Sequence, residues 1–185
     1  FRRVLFRSSR YRDGVGGRAK TDLLDAQLLR RYLCHEKPSL RAWTPPPEGY
    51  GEVLQLLSLR ERCVSARVAI EQSMADVPAC RREVNETLRK MRGLEARLAR
   101  RIEECTRRYW ATEMARCRQI EGIGPITSAA LAAIYHRGSF GSSDAFIAFL
   151  GLDVQARDSG TQRGRRKLSK RGNAEIRRLL YNAAM

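Results

Sequence analysis

The tightest constraint on the fold is a run of residues spaced in alternating steps of four and three. Val84, Leu88, Met91, Glu95, Leu98, Ile102, Cys105 and Tyr109 make one seam with a single charged position, and Arg and Glu fill the flanks. Only a helix brings residues at that spacing onto one face. A seam so narrow needs a partner helix to cover it. The stretch after Glu48 supplies a candidate, with Val53, Leu56, Leu57, Cys63, Val64, Ile70 and Met74 at helical spacing and Pro78 marking an interruption or kink before the second helix. The expectation is an antiparallel helical hairpin or a dimeric coiled coil over residues 49–110, in a mainly α chain.

Charge bounds the partners. The chain has 185 residues with 36 Lys+Arg against 20 Asp+Glu, a formal net charge of +16. Such an excess points to a polyanion, most commonly nucleic acid; the bland alternative is a solvated basic surface. At 43% hydrophobic residues a packed core can form, so wholesale disorder is not expected. Cys34, Cys63, Cys80, Cys105 and Cys117 are scattered, odd in number and nowhere at C-x-x-C spacing. Neither a zinc site nor a secreted disulfide framework is expected, and reduced thiols in a cytosol are the default. No apolar run reaches the roughly 18 to 20 residues that span a bilayer, so no membrane partner is expected.

Elsewhere the chain reads as helices and loops. Phe1 to Ser8 has neither cap nor period and resembles a translated sequencing-adapter end, so residues 1–8 are expected to be non-native. Ser9 to Arg18 is a polar, glycine-rich loop. Lys20 to Cys34 reads as a helix with Leu24, Leu28 and Tyr32 on one face, and the prolines at 38 and 45–47 make residues 35–48 a linker. Helical character resumes over Thr112–Ile120, turns at Gly122-Ile123-Gly124 and restarts at Pro125. Ser143 is placed to cap a short helix through Leu150, closed by Gly151, and a final helix runs from about Asn173.

Three motifs carry chemistry, each with an ordinary alternative. The Gly122–Pro125 turn resembles a helix-hairpin-helix: glycines allow a phosphate close approach, and the next helix presents free N–H groups and a positive dipole. It could equally be a tight connection between packed helices. Asp22 and Asp25 lie one helical turn apart and could share a Mg²⁺, or act as a cap and a first-turn acid. Ser159, before Gly160, lies among Arg157, Arg163, Arg165, Arg166 and Lys167; it is a candidate nucleophile beside phosphate-binding arginines, or a turn serine in a solvated loop. Ser169, within Leu168–Asn173 beside Lys170 and Arg171, is expected to cap or position the last helix. Residues 151–185 hold nine Lys/Arg against three acids, so this segment is expected to touch phosphate. His35 and His136 have no evident partner.

The order of these motifs is more specific than any one of them. Lys20-Thr21-Asp22-x-x-Asp25-Ala26, a long helical spacer, Ile120-Glu121-Gly122-Ile123-Gly124-Pro125, Phe140, Gly151-Leu152, Ser159-Gly160 and Ser169-Lys170-Arg171-Gly172-Asn173 follow one another. This resembles the DEDD-type insertion-sequence transposases of the IS-one-ten group, which include Piv-type invertases and bridge-RNA-guided recombinases. The resemblance implies a RuvC-like domain with four metal-binding acids, of which Asp22 and Asp25 match the last two, and a helical transposase domain whose nucleophilic serine corresponds to Ser159. It implies Mg²⁺, a DNA substrate, a structured guide RNA, a homo-oligomer and a place at the nucleoid. Residues 9–48 then correspond to the end of the RuvC-like domain and its linker, and 111–185 to an incomplete transposase domain. With the first two acids absent, the chain by itself is expected to be inactive. A rival reading is a non-catalytic nucleic-acid-binding module with a dimerisation arm.

Overall fold

The computed structural model describes residues 21–39, 43–74, 80–155, 164 and 166–185. The chain divides between Pro45 and Pro46 into two units. In the first, helix α1 spans Asp22–Glu36 and ends in a 3₁₀ turn, Lys37–Ser39. The cap is Thr21, whose Oγ1 accepts from Leu24 N at 3.3 Å. Asp22 and Asp25 therefore both lie in the first turn, where carboxylates favour the positive end of the helix dipole. The helix starts and stops two residues later than the sequence suggests, and its start is set by Thr21, which takes the capping role open to Asp22.

The second unit is built on the heptad seam. Helix α2 (Tyr50–Ser73) and helix α3 (Arg81–Cys117) run antiparallel. Gly49 lies against the ring of Tyr109, and Arg67 donates to Glu95 at 2.8 Å further out. The pairing is within the chain, and Pro78 lies outside the described residues. Of the seam, Leu88, Leu98, Ile102 and Cys105 are buried on α3, and Val53 and Leu57 on α2. Burial, and then Glu52 beside it, pushes the Cys105 thiol up to about 11, so this sulfur stays protonated and inert in the core.

Helix α3 is interrupted just after the end of its seam at Tyr109 and resumes beyond, as the sequence suggests. It continues to Cys117 across a kink at Trp110 (φ −142°, ψ 48°). At the kink the Trp110 ring is buried and stacks on His136, centroids 5.5 Å apart. His136 thus has partners that sequence alone did not reveal: the indole, and Glu113, whose carboxylate lies 3.4 Å from Nε2.

Helix α4 (Pro125–Tyr135) is the centre of the unit. Every residue from Thr127 to Ile134 is buried, four of them alanines and one a serine. A helix that is apolar on all sides must be enclosed. Ser128 donates its hydroxyl to the Pro125 carbonyl at 2.9 Å, so its polar atom costs little in the core. Around α4 lie α2, α3, helix α5 (Ser143–Leu150) and helix α6 (Ala174–Ala184), which adds Ile176 and Leu179 to the same core. Ser142, one residue before the expected cap, holds α5 by accepting from Ala145 N at 3.2 Å. Asn173 caps α6, accepting from Glu175 N at 2.8 Å. Two short strands, β1 (Val154–Gln155) and β2 (Lys167–Leu168), pair antiparallel between α5 and α6. No helix among the described residues is long and apolar enough to cross a membrane.

Glu95, the charged residue in the seam, is answered by Arg67, which also reaches Glu71 at 2.7 Å; Arg92 bonds the same Glu71 from α3. Arg67 and Glu95 are only 18% and 12% exposed, so removing one partner strands the other. Arg67→Met alone is expected to cost about 2 kcal/mol. Arg67→Met with Glu95→Leu should recover most of that loss. Urea denaturation of the four species in a double-mutant cycle measures the coupling, and a double variant as unstable as the sum of the singles would refute the pairing.

Candidate nucleic-acid interface

The segment between α5 and α6 is fixed at its base by backbone. Gly151 ends α5 with φ 74°, and a Cβ there would lie 2.5 Å from Gly172 N. Gly172 in turn sits against the Leu150 carbonyl, where an added Cβ would come within 2.3 Å of the oxygen. Two glycines from opposite ends of the segment thus allow its entry and exit to touch. Lys170 N donates to Gly151 O at 3.1 Å, and Ser169 N to Asp153 O at 2.9 Å. Lys170 itself takes φ 53°, the left-handed region that favours glycine.

Side chains complete the fastening. The Ser169 hydroxyl donates to Asp153 Oδ1. With its amide oxygen turned toward the guanidinium, Gln155 accepts from Arg171 Nε at 3.2 Å and Nη2 at 3.1 Å. Arg177 reaches back from α6 to Leu150 O at 3.4 Å. Ser169 therefore does not cap α6; Asn173 does, and Ser169 positions the approach by holding Asp153. Asp153, Gln155 and Arg177 were not singled out from sequence. The available signal was the glycine at each end of the segment, which marks a close backbone approach without naming the side chains around it.

The pairing of Gln155 with Lys167 places both ends of the intervening segment side by side. That segment carries Ser159, Arg157, Arg163 and Arg165, all outside the described residues. Arg166, Lys167, Lys170 and Arg171 are described and exposed. They form a basic rim at the base of the segment, with Asp153 occupied by Ser169. Asp22 and Asp25 belong to the other unit. Asp22 is exposed and Asp25 half-buried. Two hard oxygen donors one turn apart suit a Mg²⁺ as part of a larger ligand set, since this ion takes one or two carboxylates with water and phosphate. Among the described residues no group of three or more His, Cys, Asp or Glu side chains comes together.

The Gly122–Pro125 turn has two different glycines. Gly122 has φ 82°, and a Cβ there would fall 2.1 Å from the Ala183 carbonyl oxygen near the end of α6. Its close approach is to the protein's own backbone. Gly124 is extended, has open space around it, and caps α4 without a side-chain bond. Ile123 N donates to Ile120 O at 3.1 Å. Of the three residues, Gly124 at the head of α4 is therefore the one with room for an outside phosphate.

Residues 114–185 match the sequence model of the Transposase IS116/IS110/IS902 family. That match covers α4, α5, β1, β2 and α6, the same residues that build the fastened segment and the glycine turn. Residues 114–185 belong to this family. A Pseudomonas aeruginosa protein described as a probable family 20 transposase is 30% identical over 138 residues, which is 70% of this chain and 40% of that protein. The chain thus spans about two fifths of the length of the curated relative it matches.

The two glycines give opposite expectations. Gly122→Ala should lose about 2 kcal/mol or more, since it meets both a left-handed backbone and the Ala183 carbonyl. Gly124→Ala should leave thermal unfolding nearly unchanged. Equal melting temperatures for both variants would show that the contact with Ala183 does not form.

Proposed function

We propose that this chain is the helical, DNA-handling part of an insertion-sequence transposase, with Ser159 as the nucleophile that attacks a DNA phosphodiester. The observation that carries the reading is the fastened base of the segment bearing Ser159. Two glycine contacts, a two-strand pairing and the Ser169–Asp153 and Gln155–Arg171 bonds converge on residues 151–155 and 167–172. The only long insertion between them carries the serine and its arginines. A chain that spends so many contacts on closing one segment is positioning what the segment carries.

In this reading Ser159 Oγ attacks phosphorus, the new P–O bond forms, and the bond to the deoxyribose oxygen on the opposite side breaks. The hydroxyl proton passes to a base, and the departing oxygen takes up a proton. Arg157, Arg163, Arg165 and Arg166 bind the non-bridging oxygens and stabilise the charge that grows on them. Lys167, Lys170 and Arg171 hold the flanking backbone, and of the Gly122, Ile123 and Gly124 turn it is Gly124, at the head of α4, that takes a further phosphate. Asp22 and Asp25 would contribute to a Mg²⁺ site, where the ion would polarise the phosphoryl group. A guide RNA and a homo-oligomer are part of the same proposal, as is action in the cytoplasm at the nucleoid.

The test is Ser159→Ala in a protein extended to the length of the relative, assayed on supercoiled DNA carrying element ends. A covalent protein–DNA adduct on denaturing gels and recombinant product should both fall about 10³-fold or more, while DNA binding persists. An adduct that survives the substitution overturns the serine assignment. Binding without adduct or recombination, even before substitution, would favour the non-catalytic module.

A further inference from the structure

We propose that the outer face of α3 is a separate contact surface for duplex DNA, an arginine track that lies along the phosphate backbone. Its choice of partner rests on the DNA-handling reading above; its existence rests on the helix itself. Arg82, Arg89, Arg100 and Arg107 follow one another at intervals of 7, 11 and 7 residues. At 3.6 residues per turn, about 18 residues complete five turns. Arg82 therefore shares its azimuth with Arg100, and Arg89 with Arg107, on the side away from Leu88, Leu98 and Ile102. All four are exposed. The row is straight, because the kink at Trp110 comes after it. From Arg82 to Arg107 it runs about 38 Å, close to one turn of B-form duplex.

Two further observations separate this face from an ordinary solvated one. First, Glu86, Glu95, Glu103 and Glu104 of α3 are paired with residues other than Arg82, Arg89 and Arg100. Glu86 is held by Lys90 at 2.9 Å, Glu95 by Arg67 at 2.8 Å, and Glu104 lies 4.0 Å from Arg101. Glu103 takes Arg107 at 2.7 Å and Arg118 at 3.3 Å. Among the described residues no ion pair holds Arg82, Arg89, Arg100 or the neighbouring Arg97. Second, the gap between Arg89 and Arg100 is filled on this face by Gly93 and Ala96. Glycine inside a helix costs about 1 kcal/mol relative to alanine. Packing does not demand it: a Cβ on Gly93 would meet only the flexible end of Arg97, at 3.6 Å. A bare helix surface midway along an arginine row gives a rounded backbone room to come close.

The test measures duplex binding by the full chain across a salt titration. Arg82→Gln, Arg89→Gln, Arg100→Gln and Arg107→Gln are combined in one variant, since glutamine keeps helix propensity. The plot of log K against log salt should become shallower by about 3.6, four phosphate contacts at about 0.9 each. Gly93→Leu, which alters no charge, should weaken binding severalfold with its helix content unchanged by circular dichroism. Arg101→Gln, between two acids, is the control and should change little. Lys167→Gln, Lys170→Gln and Arg171→Gln together report on the interface already described. If that set weakens binding while the α3 set leaves slope and affinity intact, the track is a solvated face and the proposal is overturned alone. If neither set matters, both readings fall. A slope that changes for an RNA hairpin but not for duplex DNA overturns the proposal by assigning the track to RNA.

Discussion

The enclosure of α4 is the constraint on which the rest of the second unit depends. Its alanines and Ser128 are small enough for neighbouring helices to approach on every side. Large side chains on those neighbours then fill the space that the small ones leave: Ile102 and Trp110 from α3, Val53 and Leu57 from α2, Leu150 from α5, Ile176 and Leu179 from α6. Ile102, Val53 and Ile176 are essentially inaccessible to solvent, and each contributes about 1.5–3 kcal/mol by leaving water. A helix of this kind has no polar face of its own. Its solubility comes from being surrounded, which ties the geometry of its two ends to the packing of every other element.

Those two ends are where the functional candidates lie. The N-terminal end of α4 is the Gly122–Pro125 turn, pinned from outside by Ala183. Its C-terminal end leads through His136 and the loop to α5, whose last residues carry the fastened segment. The aromatic set Tyr135, Phe140, Phe146 and Phe149 packs between these elements with centroids 5.0–6.1 Å apart, Tyr135 stacked on Phe140 and the other pairs edge to face. It holds α5 at a set angle on α4. The distance from the glycine turn to the base of the Ser159 segment is thus a property of the core and not of the loops.

Much of this was legible in residue spacing. The seam of α3, the glycine turn, the proline start of α4 and the Gly151 stop of α5 each follow from a local rule: period, positive φ, or a fixed proline φ. What was not legible required tertiary knowledge. Thr21 and Asp22 are both competent caps, as are Ser142 and Ser143, and only the backbone angles choose between them. Glu95 in the seam made sense only once Arg67 was placed opposite it, 28 residues away in the chain. Ser169 resembled a cap because it precedes a helix; its partner Asp153 lies across the segment that the strands close. Sequence pattern marked Gly122 as a place of close approach without saying that Ala183, and not a phosphate, is what approaches.

The basic charge, too, takes on meaning only with the fold. A net charge of +16 says that the chain attracts polyanions, without saying where. In the folded unit the arginines fall into different classes. Arg67, Arg92 and Arg178 are committed to acids, the first two joining α2 to α3 and the third pairing with Glu175 within α6. Arg171 and Arg177 bond to Gln155 and to a carbonyl and so fasten the Ser159 segment. Arg82, Arg89 and Arg100 lie on a straight outer row, and among the described residues no ion pair holds them. Charges of the first two classes contribute to stability through partners fixed within the fold. The third class has no such partner among the described residues, and its exposed position is what the proposed duplex contact uses.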